Sequence, residues 1–340
     1  VRAAVDVMGG DRAPQAILQG CWDAAPLLDA SDRVLLVGHE QVIRRALDSS
    51  GLSPAQRTLY EVVPAADVIG MDEAPVEAIR SKPNSSISVM CKLAARGEAQ
   101  VVISAGNTGA CVAAAQLRMR TLPGVSRPGI AVIFPTLYGP VCIIDCGATI
   151  APKPTHLQQW AIMAGAYLGA LCGVENPRVG LLSIGEEDAK GTAIVKEARK
   201  LMRDEPLLNF IGNVEGRDLF RGVVDVVVCD GFVGNIVLKL TEGMAEGLMQ
   251  SILTELEGEA PLLLEQMKPV MKKLYAKHDY AEHGGAPLLG VGGYMLICHG
   301  RSDNKAIMNA IRVGRQLVLS GVNEKIVQKI EQSIPVTADE

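Results

Sequence analysis

Two loops in this sequence carry residue types that could hold an anion and stabilise charge developing on it. In the first, Val101-Val-Ile-Ser-Ala-Gly-Asn-Thr-Gly109 places Gly106, Asn107, Thr108 and Gly109 after a β-branched run. In the second, Val226-Val-Val-Cys-Asp-Gly-Phe-Val-Gly-Asn235 repeats the glycine spacing and places Asp230, Gly231, Gly234 and Asn235. Each reads as strand, tight turn and helix start. That geometry leaves backbone N–H groups unpaired at the helix start, where the macrodipole adds roughly half a positive charge. Glycine lets a phosphate approach the backbone closely. Each loop alone fits equally well an ordinary βα turn whose glycines solve a packing problem. The pair, with Asn107, Thr108 and Asn235 as polar side chains, points to a phosphate-handling cleft.

Other residues join this set. Gly9, Gly10 and Asp11 form a glycine turn after the first strand, where Asp6 and Asp11 serve equally well as turn and capping residues. Lys190 closes the run Gly185-Glu-Glu-Asp-Ala-Lys-Gly191 after a strand over residues 178–184. Its loop is expected to leave the sheet at the same end as the others, where parallel sheets bind ligands. A solvated loop is the alternative reading there. Arg80, Lys82, Ser85 and Ser86 form a further cluster that would suit an anion or simply end a helix.

The elements that must position these residues are short apolar strands alternating with helices, the pattern of a three-layer α/β/α fold with a mostly parallel sheet. At 340 residues the chain is one large α/β unit or two closely joined lobes. Residues 130–150 read as two strands joined by a turn. Residues 160–174 are apolar all round but too short to span a bilayer, so they read as a buried helix. Residues 244–279 read as a protruding helical hairpin with Leu262, Leu263 and Leu264 at its tip. The returning arm carries Lys268, Lys272, Lys273 and Lys277, which suits contact with an anionic membrane. A leucine cluster packed in a dimer interface is the equal alternative.

Composition narrows the partners. A net charge of −5 and 4% aromatic residues argue against a broad nucleic-acid surface. The eight cysteines are scattered without a Cys-x-x-Cys pair, as expected for reduced thiols of a cytosolic protein. Cys142, Cys146 and His156 lack a fourth ligand, so no metal is expected. The first strand begins at Arg2, so no signal or transit peptide is expected in this sequence.

The phrases Val5-Asp-Val-Met-Gly-Gly-Asp11, Ser104-Ala-Gly-Asn-Thr-Gly109, Gly212-Asn-Val-Glu-Gly-Arg-Asp218, Asp230-Gly-Phe-Val-Gly-Asn235, Gly284-Gly-Ala-Pro-Leu-Leu-Gly290 and Ile297-Cys-His-Gly300 resemble the bacterial phosphate acyltransferase family of phospholipid synthesis, across nearly the whole chain. The resemblance implies transfer of an acyl group from acyl carrier protein to inorganic phosphate. It also implies a homodimer with a fold like phosphotransacetylases and isopropylmalate dehydrogenases, and handover of acyl phosphate to a membrane glycerol-3-phosphate acyltransferase. No cofactor is implied beyond the phosphopantetheine of the carrier protein. The location expected is cytoplasmic with peripheral membrane contact. Lys190 matches the lysine of the family's Gly-Glu-Glu-x-x-Lys-Gly turn, and Asn235 the asparagine of its Gly-Phe-x-Gly-Asn loop. Thr149 and Ala151 stand where the family usually has asparagine and aspartate.

Overall fold

Runs such as Val34-Leu-Leu-Val37 and Val226-Val-Val228 are buried along their whole length, as strands covered by helices on both faces must be. The computed structural model describes residues 1–278 and 284–333. Its strands are β1 (Arg2–Asp6), β2 (Arg33–Gly38), β3 (Tyr60–Pro64), β4 (Val101–Ser104), β5 (Gly129–Thr136) and β6 (Gly139–Ile144). They continue with β7 (Arg178–Leu182), β8 (Asn209–Val214), β9 (Val226–Val228), β10 (Ala286–Leu289) and β11 (Tyr294–Ile297). All eleven form one sheet in the order β3-β2-β1-β4-β11-β10-β5-β6-β9-β7-β8.

The helices fill two layers. One face carries α1 (Gln15–Asp23), α2 (Glu40–Asp48), α7 (Pro154–Cys172), α8 (Ala193–Asp204), α11 (Asn304–Ser320) and α12 (Val322–Gln332). The other carries α4 (Pro75–Ser81), α5 (Ser86–Ala95), α6 (Thr108–Ala114) and the start of α9 (Gly231–Glu259). A short α3 (Pro54–Arg57) leads into β3, and α10 (Pro261–His278) returns against α9. The three layers and the largely parallel pairing follow the expected fold class. The expected strand pair is β5 and β6, which ends at Ile144 rather than residue 150, and the expected buried helix is α7, which starts earlier, at Pro154, and ends at Cys172.

Strand direction departs from expectation. The pairs β11/β10, β10/β5 and β5/β6 are each antiparallel, whereas β3-β2-β1-β4-β11 and β6-β9-β7-β8 are internally parallel. Three reversals make the two parallel groups run in opposite senses. The Lys190 loop therefore leaves the same sheet end as the Asn235 loop, and the opposite end from the Gly9–Gly10 and Gly106–Gly109 loops. Counting outward from the β10/β5 pair, β4 and β9 occupy equivalent third places. The two loops alike in sequence thus sit at pseudo-twofold positions.

Two further features bear on the site. β10 pairs with β5 only through Leu288 with Ile130 and Leu289 with Gly129, while β6 pairs with β5 along residues 131–136. Beyond Ile130, β5 keeps a free edge among the described residues. The expected hairpin arm is also longer than residues 244–279 implied. α9 is one 29-residue helix that begins at Gly231, capped by Asp230 Oδ1 accepting from the Val233 N–H. Residue 279 and the side chain of Lys277 lie outside the described residues. Along α9, Phe232, Ile236, Leu240, Met244 and Leu248 recur every fourth residue and are all exposed. No helix among the described residues is long and apolar enough to cross a membrane.

Candidate active site

In the first half-sheet, buried Asp6 organises the loops. Its carboxylate accepts from Ser104 Oγ at 2.7 Å and from the Met8 N–H at 3.1 Å, and Ser104 Oγ accepts from the Gly106 N–H at 3.0 Å. Burial pushes the Asp6 pKa up, against these hydrogen bonds. A Cβ on Gly9 would lie 2.3 Å from Asp6 Oδ2 and 2.9 Å from the Gly106 nitrogen, so only glycine lets the two loops close on each other. Gly10 packs against Ala105 and the Gly300 carbonyl, and the Asp11 N–H donates to Gly300 O at 2.8 Å. Asn107 is a clamp: its amide donates to the carbonyls of Gly70, Met71 and Glu73, and its Oδ1 caps Ala110 N–H. Gly109 packs against Pro75. In the neighbouring cluster Lys82 is bonded to Glu73 at 2.6 Å and Ser85 caps α5, while Arg80 stays exposed.

The second half-sheet repeats the device with Asp145. Its Oδ1 accepts from the N–H groups of Ile130, Gly147 and Ala148, and its Oδ2 from Thr149 at 2.7 Å. The Gly231 N–H donates to Thr149 O at 2.9 Å. This changes the expectation of unpaired N–H groups at the start of α9, because those of Gly231 and Val233 are used inside the protein. A Cβ on Gly234 would fall 1.9 Å from Asp145 O, so α9 lies directly on the β6 loop. The next residue, Asn235, is thereby held over Gly147, whose added Cβ would be 3.8 Å from Asn235 Oδ1, and it stays exposed.

Burial pushes the Asp145 pKa up to about 6 from the ordinary 3.8, outweighing its four backbone donors. The folded protein then holds this proton more tightly than the unfolded chain, so the stabilisation is complete below about pH 4 and lost as pH rises to about 6. The stability of the wild type relative to Asp145→Asn, measured by urea unfolding, is expected to fall across that window and to be flat above it. A difference independent of pH would show that the carboxyl titrates normally.

Between the half-sheets lies a cavity of about 660 Å³. Thr108 lines it from α6, Asn235 and Lys239 from α9, and His299 from the loop after β11. Lys239 pairs with Glu242, also in the lining, at 2.8 Å. His299 Nδ1 accepts from the Arg301 N–H at 3.2 Å, which places the proton of the neutral ring on Nε2. Burial, and then the nearby Lys239 charge, push the His299 pKa down from 6.5, so the ring is neutral at pH 7. The cavity thus brings together two of the residues expected from sequence, Thr108 and Asn235. Gly9, Gly10, Asp11, Gly106, Asn107, Gly109, Asp230, Gly231 and Gly234 lie outside its lining.

Lys190 lies outside the lining, exposed in the loop after β7, where its N–H donates to Glu187 O at 3.0 Å. Asp188 of that loop pairs with Arg203 at 3.1 Å and also with Arg199. At the hairpin, Leu262 is 82% exposed and Leu263 45%, whereas Leu264 is turned inward at 8%. Lys239, Glu242 and His299 were not singled out as site residues from sequence. A signal for the first two existed: Asn235, Lys239 and Glu242 stand at i, i+4 and i+7, one face of a helix.

Comparison with known proteins places the chain. Residues 1–325 match the family described as fatty acid synthesis protein. The chain is 45% identical to the phosphate acyltransferase of Heliobacterium modesticaldum over 337 residues, covering 98% of each. It is 43% identical to that of Geobacter sulfurreducens, covering 97% of this chain and 94% of the relative. Among solved structures, a phosphotransacetylase from Streptococcus pyogenes shares the fold with a TM-score of 0.62 at 16% identity, covering 94% of each chain. A branched-chain phosphotransacylase from Enterococcus faecalis does so with a TM-score of 0.56 at 15% identity, covering 94% of this chain and 99% of the other. The chain belongs to the fatty acid synthesis protein family and, with relatives named phosphate acyltransferase along its whole length, is an acyltransferase enzyme.

Proposed function

We propose that this enzyme transfers a fatty acyl group from the phosphopantetheine thioester of acyl carrier protein to inorganic phosphate, giving acyl phosphate for phospholipid synthesis. The observation that carries the reading is one cavity lined by both Asn235 and His299, in a chain whose full-length relatives are named phosphate acyltransferase. A phosphate oxygen attacks the thioester carbonyl, forming the C–O bond and a tetrahedral oxyanion. Collapse breaks the C–S bond, and the departing thiolate takes up a proton. Asn235 Nδ2 donates to the carbonyl oxygen as it gains charge. Lys190 supplies positive charge for phosphate from the loop after β7, beside the β9 loop that carries Asn235. The chemistry calls for no metal and no cofactor beyond the carrier's phosphopantetheine. Incubation with phosphate and either long-chain acyl carrier protein or acyl coenzyme A tests the reading. Acyl phosphate from the carrier thioester is expected. Product from coenzyme A alone would favour the phosphotransacetylase-like alternative, and no product from either would favour a non-catalytic scaffold for the carrier protein.

The same reading makes the protein a cytoplasmic homodimer that touches anionic membranes and hands its labile product to a membrane glycerol-3-phosphate acyltransferase. The apolar stripe on α9 supports a second copy as its cover. Leu262 and Leu263 supply the exposed apolar tip, next to Lys268, Lys272 and Lys273. Changing Leu262 and Leu263 to serine is expected to reduce sedimentation with anionic liposomes, and high salt to weaken what remains. If the tip packs in the dimer instead, the double variant shifts to monomer in sedimentation without lipid. Unchanged liposome binding by a dimeric double variant would remove the membrane role.

A further inference from the structure

The cavity is larger than the reacting groups require, and its lining joins polar groups to a long apolar wall along β5. Asn235, His299, Lys239 and Thr108 belong to its polar lining. The longest apolar stretch of the lining follows β5, from Ile130 to Pro135. Val132 and Phe134 belong to the sheet face that carries α9, whereas Ala131 and Ile133 belong to the face that carries α7 and α11. All four line the same space. A single cavity can touch both faces of a strand only by passing its edge, and β5 has a free edge beyond Ile130 among the described residues. Ala286 and Pro287 of β10 and Ile297 at the end of β11 form the opposite wall of this slot. Proline at position 135 removes one N–H from the free edge. On the second face the space is lined by Leu171 and Cys172 of α7 and by Val313 of α11, with Arg312 and Gln316 as its polar neighbours there.

We infer that this slot through the sheet binds the unbranched hydrocarbon chain of the acyl substrate, with the carbonyl at the Asn235 end and the chain's far end beside Cys172. The inference rests on the acyl-transfer reading and adds to it the place of the chain. A thioester carbon held near Asn235 has the apolar wall along β5 in the same cavity to receive its chain. Each methylene buried there favours binding about fourfold, so long chains outcompete short ones without any polar contact. The volume of about 660 Å³ lies within the range of ligand-sized pockets.

Cys172 makes the slot testable after folding, because it is exposed whereas the other seven cysteines are buried. The rate of Cys172 modification by N-ethylmaleimide, followed by mass spectrometry, is expected to fall at least tenfold in the presence of palmitate and to be unaffected by butyrate. The wild-type enzyme is then converted at Cys172 to its hexyl mixed disulfide with hexyl methanethiosulfonate, methanesulfinate leaving, and assayed with C16 and C4 acyl thioesters. The hexyl adduct is expected to lower C16 turnover at least tenfold more than C4 turnover, with recovery on reduction. Cys172→Ser serves as a control that the reagent should not affect. Equal modification rates with and without palmitate, or equal loss for both chain lengths, would overturn the slot. The acyl-transfer reading fails separately, by absence of acyl phosphate from the unmodified enzyme, and the palmitate protection measurement then still decides whether the slot holds a chain.

Discussion

Replacing Asn235 with alanine is expected to lower kcat for acyl phosphate formation about 10²–10³-fold, the usual loss for one oxyanion donor. The side chain is exposed at the cavity, next to a residue that fixes α9 on the β6 loop. A donor aimed at charge that appears only in the transition state acts on turnover and leaves KM almost unchanged. Asn235→Asp should be at least as damaging, since an ionised carboxylate cannot donate and repels phosphate. Lys190→Ala should lose most phosphate-dependent turnover while keeping the fold, because Lys190 is exposed in a polar loop. Steady-state kinetics with phosphate as the varied substrate separates the two roles. An Asn235 effect confined to KM would make it a simple binding residue, and near-normal activity of folded Lys190→Ala would remove that residue from the site.

The second large effect is on stability. In Gly234→Ala the new Cβ would sit 1.9 Å from Asp145 O and 3.0 Å from Cys229 Sγ. The nearer neighbour is backbone held by the β6–β9 pairing, so α9 must lift rather than a side chain turn aside. Such overpacking costs about 1–3 kcal/mol, and the melting temperature is expected to drop by several degrees. Activity should fall as well, since lifting α9 moves Asn235 off Gly147. Gly243 provides the contrast in the same helix: nothing lies within 4 Å of its would-be Cβ, and Gly243→Ala is expected to stabilise by up to about 1 kcal/mol. Thermal denaturation of the two variants side by side checks both signs.

The likeness of Val101-to-Gly109 and Val226-to-Gly234 was legible because local sequence dictates local turns, and the structure gives it meaning as pseudo-twofold equivalence. The opposed sense of the two half-sheets was not legible. Hydrophobic periodicity carries no direction, and β10, one of the strands that reverse it, lies inside the glycine- and proline-bearing stretch Gly284-Gly-Ala-Pro-Leu-Leu-Gly290. Asn107 and Asn235 show the limit for site residues. Both follow a glycine at a loop end, yet Asn107 has carbonyl partners brought from residues 70–73 while Asn235 faces the cavity, and only tertiary contacts distinguish them. His299 was hidden for the same reason, since its role depends on a hydrogen bond from the Arg301 N–H and on α9 arriving beside it.

Because α9 is held on the core from Gly231 to Leu238 and then runs on to Glu259, it behaves as a beam anchored beside the chemistry and loaded at the hairpin. At 1.5 Å per residue the length beyond Leu238 is about 31 Å, so a ten-degree swing of that part carries the tip about 5 Å and leaves the backbone of Asn235, inside the anchored turns, in place. Gly243 and Gly247, which both face open space, put the most compliant part of the beam outside the anchored turns. Whatever the hairpin leans on is therefore mechanically filtered before it reaches the amide that faces the acyl carbonyl.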